Sequence, residues 1–278
     1  MSLTDAERLP HVEAVLNYIA PSAEKPWSYT FDPPAGVERI SAKYESHTLA
    51  IRDLRPAAAD LSLDEEGFLL ALHRSAVRDF YDDKEVRTTY YPEIAELVTR
   101  HSGAARVLVF DHTIRRRIEG AEDRTAGAPR QPVPRVHNDY TVSSGPQRVR
   151  DVCGEEADEL LRRRFSIINV WRPIRGPLED SPLAICDARS IALEDFVATD
   201  LIYRDRTGEI YNVRFSPSHR WFYAPRMSRD EVLVFRCYDS ATDGRARFVA
   251  HTAFEDPMTP QVVIPRESIE VRALAFYT

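Results

Sequence analysis

His137, Asp139 and His251 are the side chains whose types and spacing point most directly to chemistry. The first two sit in Pro134–Thr141, a segment with strand character, where residues two apart project from one face. That edge presents an imidazole and a carboxylate side by side. His251 lies far downstream in Phe248–Phe254, a second apolar run that reads as a strand. Two neutral imidazoles and one carboxylate on one side of an ion are the ligand set of a mononuclear non-haem Fe(II) site, with the opposite positions open for a cosubstrate and dioxygen. A lone His-x-Asp is incidental in most chains with 8 histidines and 44 acidic residues, so the pair needs support from elsewhere.

Support comes from the segment after His251. In Arg266–Arg272 polar and apolar residues alternate, so Arg266, Ser268, Glu270 and Arg272 face one way while Ile269, Val271 and Ala273 face the other. An arginine and a hydroxyl two apart on an inward face make a planar fork and a donor suited to a dicarboxylate. Arg266 carries the Arg-x-Ser spacing and is the first choice for that role; Arg272, on the same face, is the second.

The order His-x-Asp, distant His, Arg-x-Ser resembles the 2-oxoglutarate/Fe(II)-dependent oxygenases built on a double-stranded β-helix. The stretches Tyr91–Glu93, Val109–Arg115, Val136–Thr141, Ile168–Pro173, Trp221–Met227 and Asp230–Phe235 are similar to one branch, that of the cephalosporin 7α-methoxylation hydroxylase component and the AsaB-type hydroxylase/desaturases. The likeness runs from about residue 45 to the C-terminus. It implies Fe(II) held by His137, Asp139 and His251, with 2-oxoglutarate and O2 as cosubstrates. The implied reaction is oxidative decarboxylation to succinate coupled to hydroxylation, desaturation or oxidative cyclisation of a small molecule, in specialised metabolism.

Composition agrees. A chain of 278 residues with 43% hydrophobic content can bury a sizeable core as one β-rich domain, and we expect a mixed helical extension over about 1–104 before a jelly-roll core over about 105–278. A net charge of −7 gives no electrostatic reason to expect nucleic acid or an anionic membrane. No apolar stretch has the length of a membrane span and no signal-peptide pattern opens the chain, so a cytoplasmic location is expected. The three cysteines, Cys153, Cys186 and Cys237, are too widely spaced for a zinc knuckle and odd in number for a disulfide framework. With 10 glycines, none closer than Gly120 and Gly127, the dinucleotide fingerprint, the phosphate-binding loop and the nucleophile elbow cannot be written.

Along the chain, residues 4–19 look helical, although Pro10 makes a broken helix or an arm on a partner subunit, hence a homodimer, the alternative. Ser62-Leu63-Asp64-Glu65 reads as a capping box opening a helix to Arg74; Pro92 starts another that Gly103 ends, and Arg106–Phe110 follows as a strand. Residues 118–135 are either a lid or a plain connector. A helix over 147–164 precedes strands expected at 165–171, 183–188, 199–204, 209–215, 219–223, 231–237, 246–253 and 268–277.

Alternation in Phe165–Trp171 puts Asn169 and Trp171 on one face, where the amide would reach the cosubstrate and the indole would wall the pocket; Trp221 and Tyr223 are expected as further wall, and Tyr140 should point away from the metal. Filling the barrel and satisfying backbone is the competing role for Asn169 and Trp171. His47, His73, His101, His112 and His219 read as ordinary histidines, and the arginine runs 115–117 and 162–164 as solvated faces. A zinc hydrolase or cupin-type isomerase using the same three ligands is the rival reading, and would leave the inward arginine without a task. A non-catalytic small-molecule-binding barrel is the third, and would not need the intact triad.

Overall fold

The computed structural model describes residues 8–121, 123 and 129–278. Among them, fourteen strands form two sheets. In chain order these are β1 (His11–Ile19), β2 (Trp27–Tyr29), β3 (Tyr44–Asp53), β4 (Phe68–Leu72), β5 (Arg106–Arg116), β6 (His137–Asn138), β7 (Phe165–Pro173), β8 (Leu183–Cys186), β9 (Phe196–Ile202), β10 (Thr207–Val213), β11 (Trp221–Tyr223), β12 (Glu231–Asp239), β13 (His251–Ala253) and β14 (Glu267–Phe276). One sheet runs β1-β3-β11-β8-β13-β6-β10-β9-β2 and the other β4-β12-β7-β14-β5. Strands β7 and β12 are buried along their whole length, which explains why they read as near-continuous apolar runs. Ile168, Leu233, Phe235 and Val271 of the second sheet share one core with Ile185 and Phe222 of the first.

The helical run around Pro92 begins before the proline: Asp82 caps a turn at Asp83–Glu85 that passes through a π-helical turn, Val86–Tyr90, into α1 (Tyr91–Ser102). Helix α1 stops where Gly103 turns left-handed, at φ +69°, with its N–H donating to the Thr99 carbonyl at 3.0 Å. The expected helix over 147–164 is shorter: α2 (Ser144–Cys153) is followed only by single turns to Leu160. The eight strands expected beyond it are all present with shifted bounds, and β5 extends past Phe110 to Arg116.

Two expected helices are strands. Residues 11–19 form β1, in full register with β3, because Ala14, Leu16 and Tyr18 bury one face at a period of two; residues 4–7 of that expected helix lie outside the described residues. The partner-subunit arm is thus a strand paired within its own chain. Ser62 does make its capping bonds, accepting from the Glu65 N–H at 3.0 Å while its own N–H donates to the Glu66 carboxylate at 3.0 Å. They close a turn, and Gly67, at φ +85°, releases the chain into β4. The segment before residue 105 is therefore strand-bearing, giving β1, β2 and β3 to one sheet and β4 to the other. No described helix is long and apolar enough to cross a membrane.

Gly67 also faces a crowded wall: a Cβ there would meet Val249 Cγ2 at 2.4 Å and Ala246 Cβ at 3.1 Å. Gly36 has a similar φ of +82° with nothing within 4 Å. Gly36→Ala should cost only the left-handed backbone, about 1–2 kcal/mol. Gly67→Ala should add overpacking against a stiff β-branched side chain, about 1–3 kcal/mol more. Urea unfolding of both variants checks this, and equal losses would show that Val249 yields.

Candidate active site

Sheet register assembles the three ligands. β6 pairs with β13 so that His137 and His251 stand opposite each other, their ring centroids 4.4 Å apart. The strand expected over Pro134–Thr141 is only His137–Asn138, because the Asn138 side chain, pointing the other way, donates to the Tyr140 carbonyl at 2.6 Å and the Cys237 carbonyl at 2.9 Å. That pair of bonds turns the chain after Asn138 and holds Asp139 on the histidine face. Asp139 Oδ1 then lies 3.7 Å from His137 Nε2 and 4.0 Å from His251 Nε2. Phe235 of the other sheet packs on His251 at 4.8 Å.

The donor chemistry fits a metal ion. His137 Nδ1 donates to the Arg135 carbonyl at 2.7 Å and His251 Nδ1 to the Val249 carbonyl at 3.2 Å. A carbonyl only accepts, so Nδ1 carries the proton in each ring and the Nε2 lone pair faces Asp139. Metal–ligand bonds of about 2.1 Å bring donors up to about 4.2 Å apart onto one ion. The triad atoms all lie within 4.8 Å of one another, so at most a small closure is required.

Burial, with the neighbouring His251, lowers the His137 pKa to about 3, and burial also lowers that of His251, so both rings are neutral at physiological pH. Burial pushes the Asp139 carboxyl up, but Arg272, the two imidazoles and the Asn169 hydrogen bond outweigh it and hold it well below the usual carboxylate range. In front of the triad opens a cavity of about 830 Å³, bordered among others by His137, Asp139, Tyr44, Arg115, Tyr140 and Asn212. Tyr140, expected to point away from the metal, thus takes part in its wall.

Arg266, the first choice for a cosubstrate carboxylate, is fully buried: Nε donates to Ser268 Oγ at 3.0 Å, Nη1 to the Ser181 carbonyl at 2.7 Å, and the guanidinium stands 5.0 Å from the Trp171 ring. Among the described residues no carboxylate comes within ion-pair distance of its side chain. Burial, with Arg115 nearby, lowers its pKa to about 9. Arg272 differs, because its donors are spent on Asp139, Asp111, Thr113 and Glu270. Asn169 donates to Asp139 Oδ2 at 2.9 Å, which occupies one of its two N–H groups.

Trp221 donates to Tyr18 Oη at 2.7 Å within a second apolar cluster that includes Tyr223. Neither of these, nor Trp171, borders the cavity in front of the triad. Of the segment 118–135, residues 122 and 124–128 lie outside the described residues, while Arg130, Val133 and Arg135 border the cavity. His219 is buried between Tyr18 and Asp195, and His112 meets Tyr91, as ordinary histidines do.

Arg115 is the residue that sequence reasoning passed over. It opens an arginine run that reads as solvated, yet it is buried opposite Ser268 and lines the cavity; burial and Arg130 lower its pKa to about 10. The usable signal was alternation, since Asp111, Thr113 and Arg115 share one face of β5. Fe(II) titration under nitrogen should saturate at one ion per chain, and His251→Ala should lose most of that uptake. Unchanged stoichiometry in the variant would remove His251 from the ligand set.

A family model described as an oxidoreductase/YMDC permease-like domain matches residues 16–276. The hydroxylase/desaturase efuI of Hormonema carpetanum is 32% identical, over 99% of this chain and 98% of that protein. The Fe(II)/2-oxoglutarate-dependent dioxygenase nvfI of Aspergillus novofumigatus is 31% identical, over 95% and 96%. A solved structure of the iron and alpha-ketoglutarate-dependent endoperoxidase NvfI superposes with a TM-score of 0.86 at 31% identity, covering 96% of this chain and 98% of its own. With these relatives and a His-Asp-His triad at the meeting of two curled sheets, the chain belongs to the Fe(II)/2-oxoglutarate-dependent dioxygenases of jelly-roll fold.

Proposed function

We propose that the enzyme hydroxylates, desaturates or oxidatively cyclises a small molecule of specialised metabolism, and that the far carboxylate of 2-oxoglutarate is taken by Arg266 and Ser268. With 2-oxoglutarate and O2, Fe(II) at His137, Asp139 and His251 supplies an oxidant strong enough for an unactivated C–H bond, leaving succinate and carbon dioxide. The protein's part is to place both organic reactants and keep water away.

The observation that carries the reading is that buried Arg266 has, among the described residues, no carboxylate within ion-pair distance of its side chain, Asp180 and Glu270 acting on it only from further off. A buried guanidinium without a counterion is unfavourable, and the cosubstrate's carboxylate is the anion that relieves it. Ser268 already holds Nε and sets the plane of the fork. Arg115, directly across the strand pair from Ser268, makes this end of the barrel cationic. The zinc-hydrolase and binding-barrel readings give this buried charge no task. The cavity, bordered by Arg115 and Arg272 but not by Arg266 or Ser268, has the volume for a small organic substrate. Relatives named hydroxylase/desaturase and endoperoxidase support a C–H oxidation.

Anaerobic 2-oxoglutarate titration of the metal-loaded enzyme, with succinate release in air, tests the assignment. Removing one partner of a buried charged pair costs about 2–5 kcal/mol, so Arg266→Ala should weaken cosubstrate binding by about 30-fold to several thousand-fold with metal uptake intact. Arg266→Lys keeps the charge but loses the fork, and should still raise the cosubstrate KM. Ser268→Ala should cost only about 1 kcal/mol. If Arg115→Ala carries the large effect and Arg266→Ala binds normally, the assignment to Arg266 is wrong.

A further inference from the structure

Asp139 divides its two oxygens between different neighbours. Oδ1 faces the histidine Nε2 atoms, whereas Oδ2 accepts from Arg272 Nε at 2.9 Å and from Asn169 Nδ2 at 2.9 Å. Arg272 and Asn169 stand opposite each other in the register of β14 and β7. One rung of the five-stranded sheet thus delivers both donors to a single atom of a ligand that follows β6 in the other sheet.

Resting on the iron and 2-oxoglutarate reading, we infer that Asn169 and Arg272 are positioning residues that reserve Oδ2, so that Asp139 offers a metal ion Oδ1 alone. The consequence is a matter of counting. Two histidines, a chelating 2-oxoglutarate and one carboxylate oxygen fill five places of an octahedral ion, leaving one for dioxygen; a carboxylate bound through both oxygens would take the last.

Packing alone gives Asn169 no reason to be an asparagine. Its Oδ1 is buried with no partner, and a buried orphan carbonyl destabilises a fold. Leucine has nearly the same shape without that atom. Asn169→Leu therefore separates the two roles: as a packing residue it improves on the native side chain, and as a positioning residue it cannot replace the lost N–H. Arg272→Lys keeps the cation beside Glu270 and Asp111 but gives up the Nε donor.

The experiment is anaerobic titration of wild type and both variants with Co(II), alongside the ligand-field spectrum, which reports coordination number, and thermal melts of the metal-free proteins. Asn169→Leu, which removes an orphan carbonyl but also one donor to a buried carboxylate, should melt near wild type, bind Co(II) about 10-fold more weakly and show altered bands; Arg272→Lys should lose about 10- to 100-fold. Wild-type affinity and an unchanged spectrum in Asn169→Leu would overturn the inference while the iron reading stands. Should Asn169→Leu melt lower, Arg272→Lys decides, and a wild-type spectrum and affinity there overturn it too. A wild type that takes up no metal ends both readings.

Discussion

The structure turns on a carboxylate held between two sheets. Asp139 follows a strand of the nine-stranded sheet, yet its outer oxygen is bonded by side chains of the five-stranded one. Such a group is tolerable in a low-dielectric interior only if its charge is met and its lone pairs are filled. Arg272 meets the charge and is in turn enclosed by Glu270, Asp111 and Thr113, so a network rather than a pair is buried. Burial raises the Glu270 carboxyl pKa, with Asp139 adding to the rise and Arg272 opposing it.

Three arginines of one residue type have become different objects because their neighbours differ. Arg272 is saturated with carboxylates, and they hold its proton more tightly than in water despite burial. Arg115 has one more distant carboxylate, Asp123 at 3.8 Å, and Arg266 has none within ion-pair distance, and the protons of both are held more loosely. The fold thus separates a cation that serves the protein from one, Arg266, that can accept an anion. Sequence spacing alone could not make that distinction, since Arg266 and Arg272 occupy equivalent faces of one strand.

What was legible in the sequence follows the same logic. The metal ligands could be read because chemistry restricts them to few residue types, and alternation places them on one face. β7 and β12 could be read because complete burial leaves an apolar signature, and β14 because its polar and apolar residues alternate. The N-terminal strand could not: over His11–Ile19 the apolar residues satisfy a helical period almost as well as a period of two, and only pairing with β3 decides. Ser62 misled for a related reason, since a capping box and a tight turn use the same hydrogen bonds. The bond from Asn169 to Asp139 was not legible, because the bend after Asn138 that brings Asp139 to it depends on Cys237, nearly a hundred residues away in sequence.

Most of the cavity wall and the rung behind the metal are drawn from different parts of the molecule, with Asp139 and Arg272 belonging to both. Residues of β9, β10 and α2 line the space where a substrate would lie, while Asp139 is anchored through β7 and β14. Replacements along that wall can therefore reshape what enters without disturbing the anchoring bonds. This division lets the substrate space vary while the anchoring of the ligand is kept.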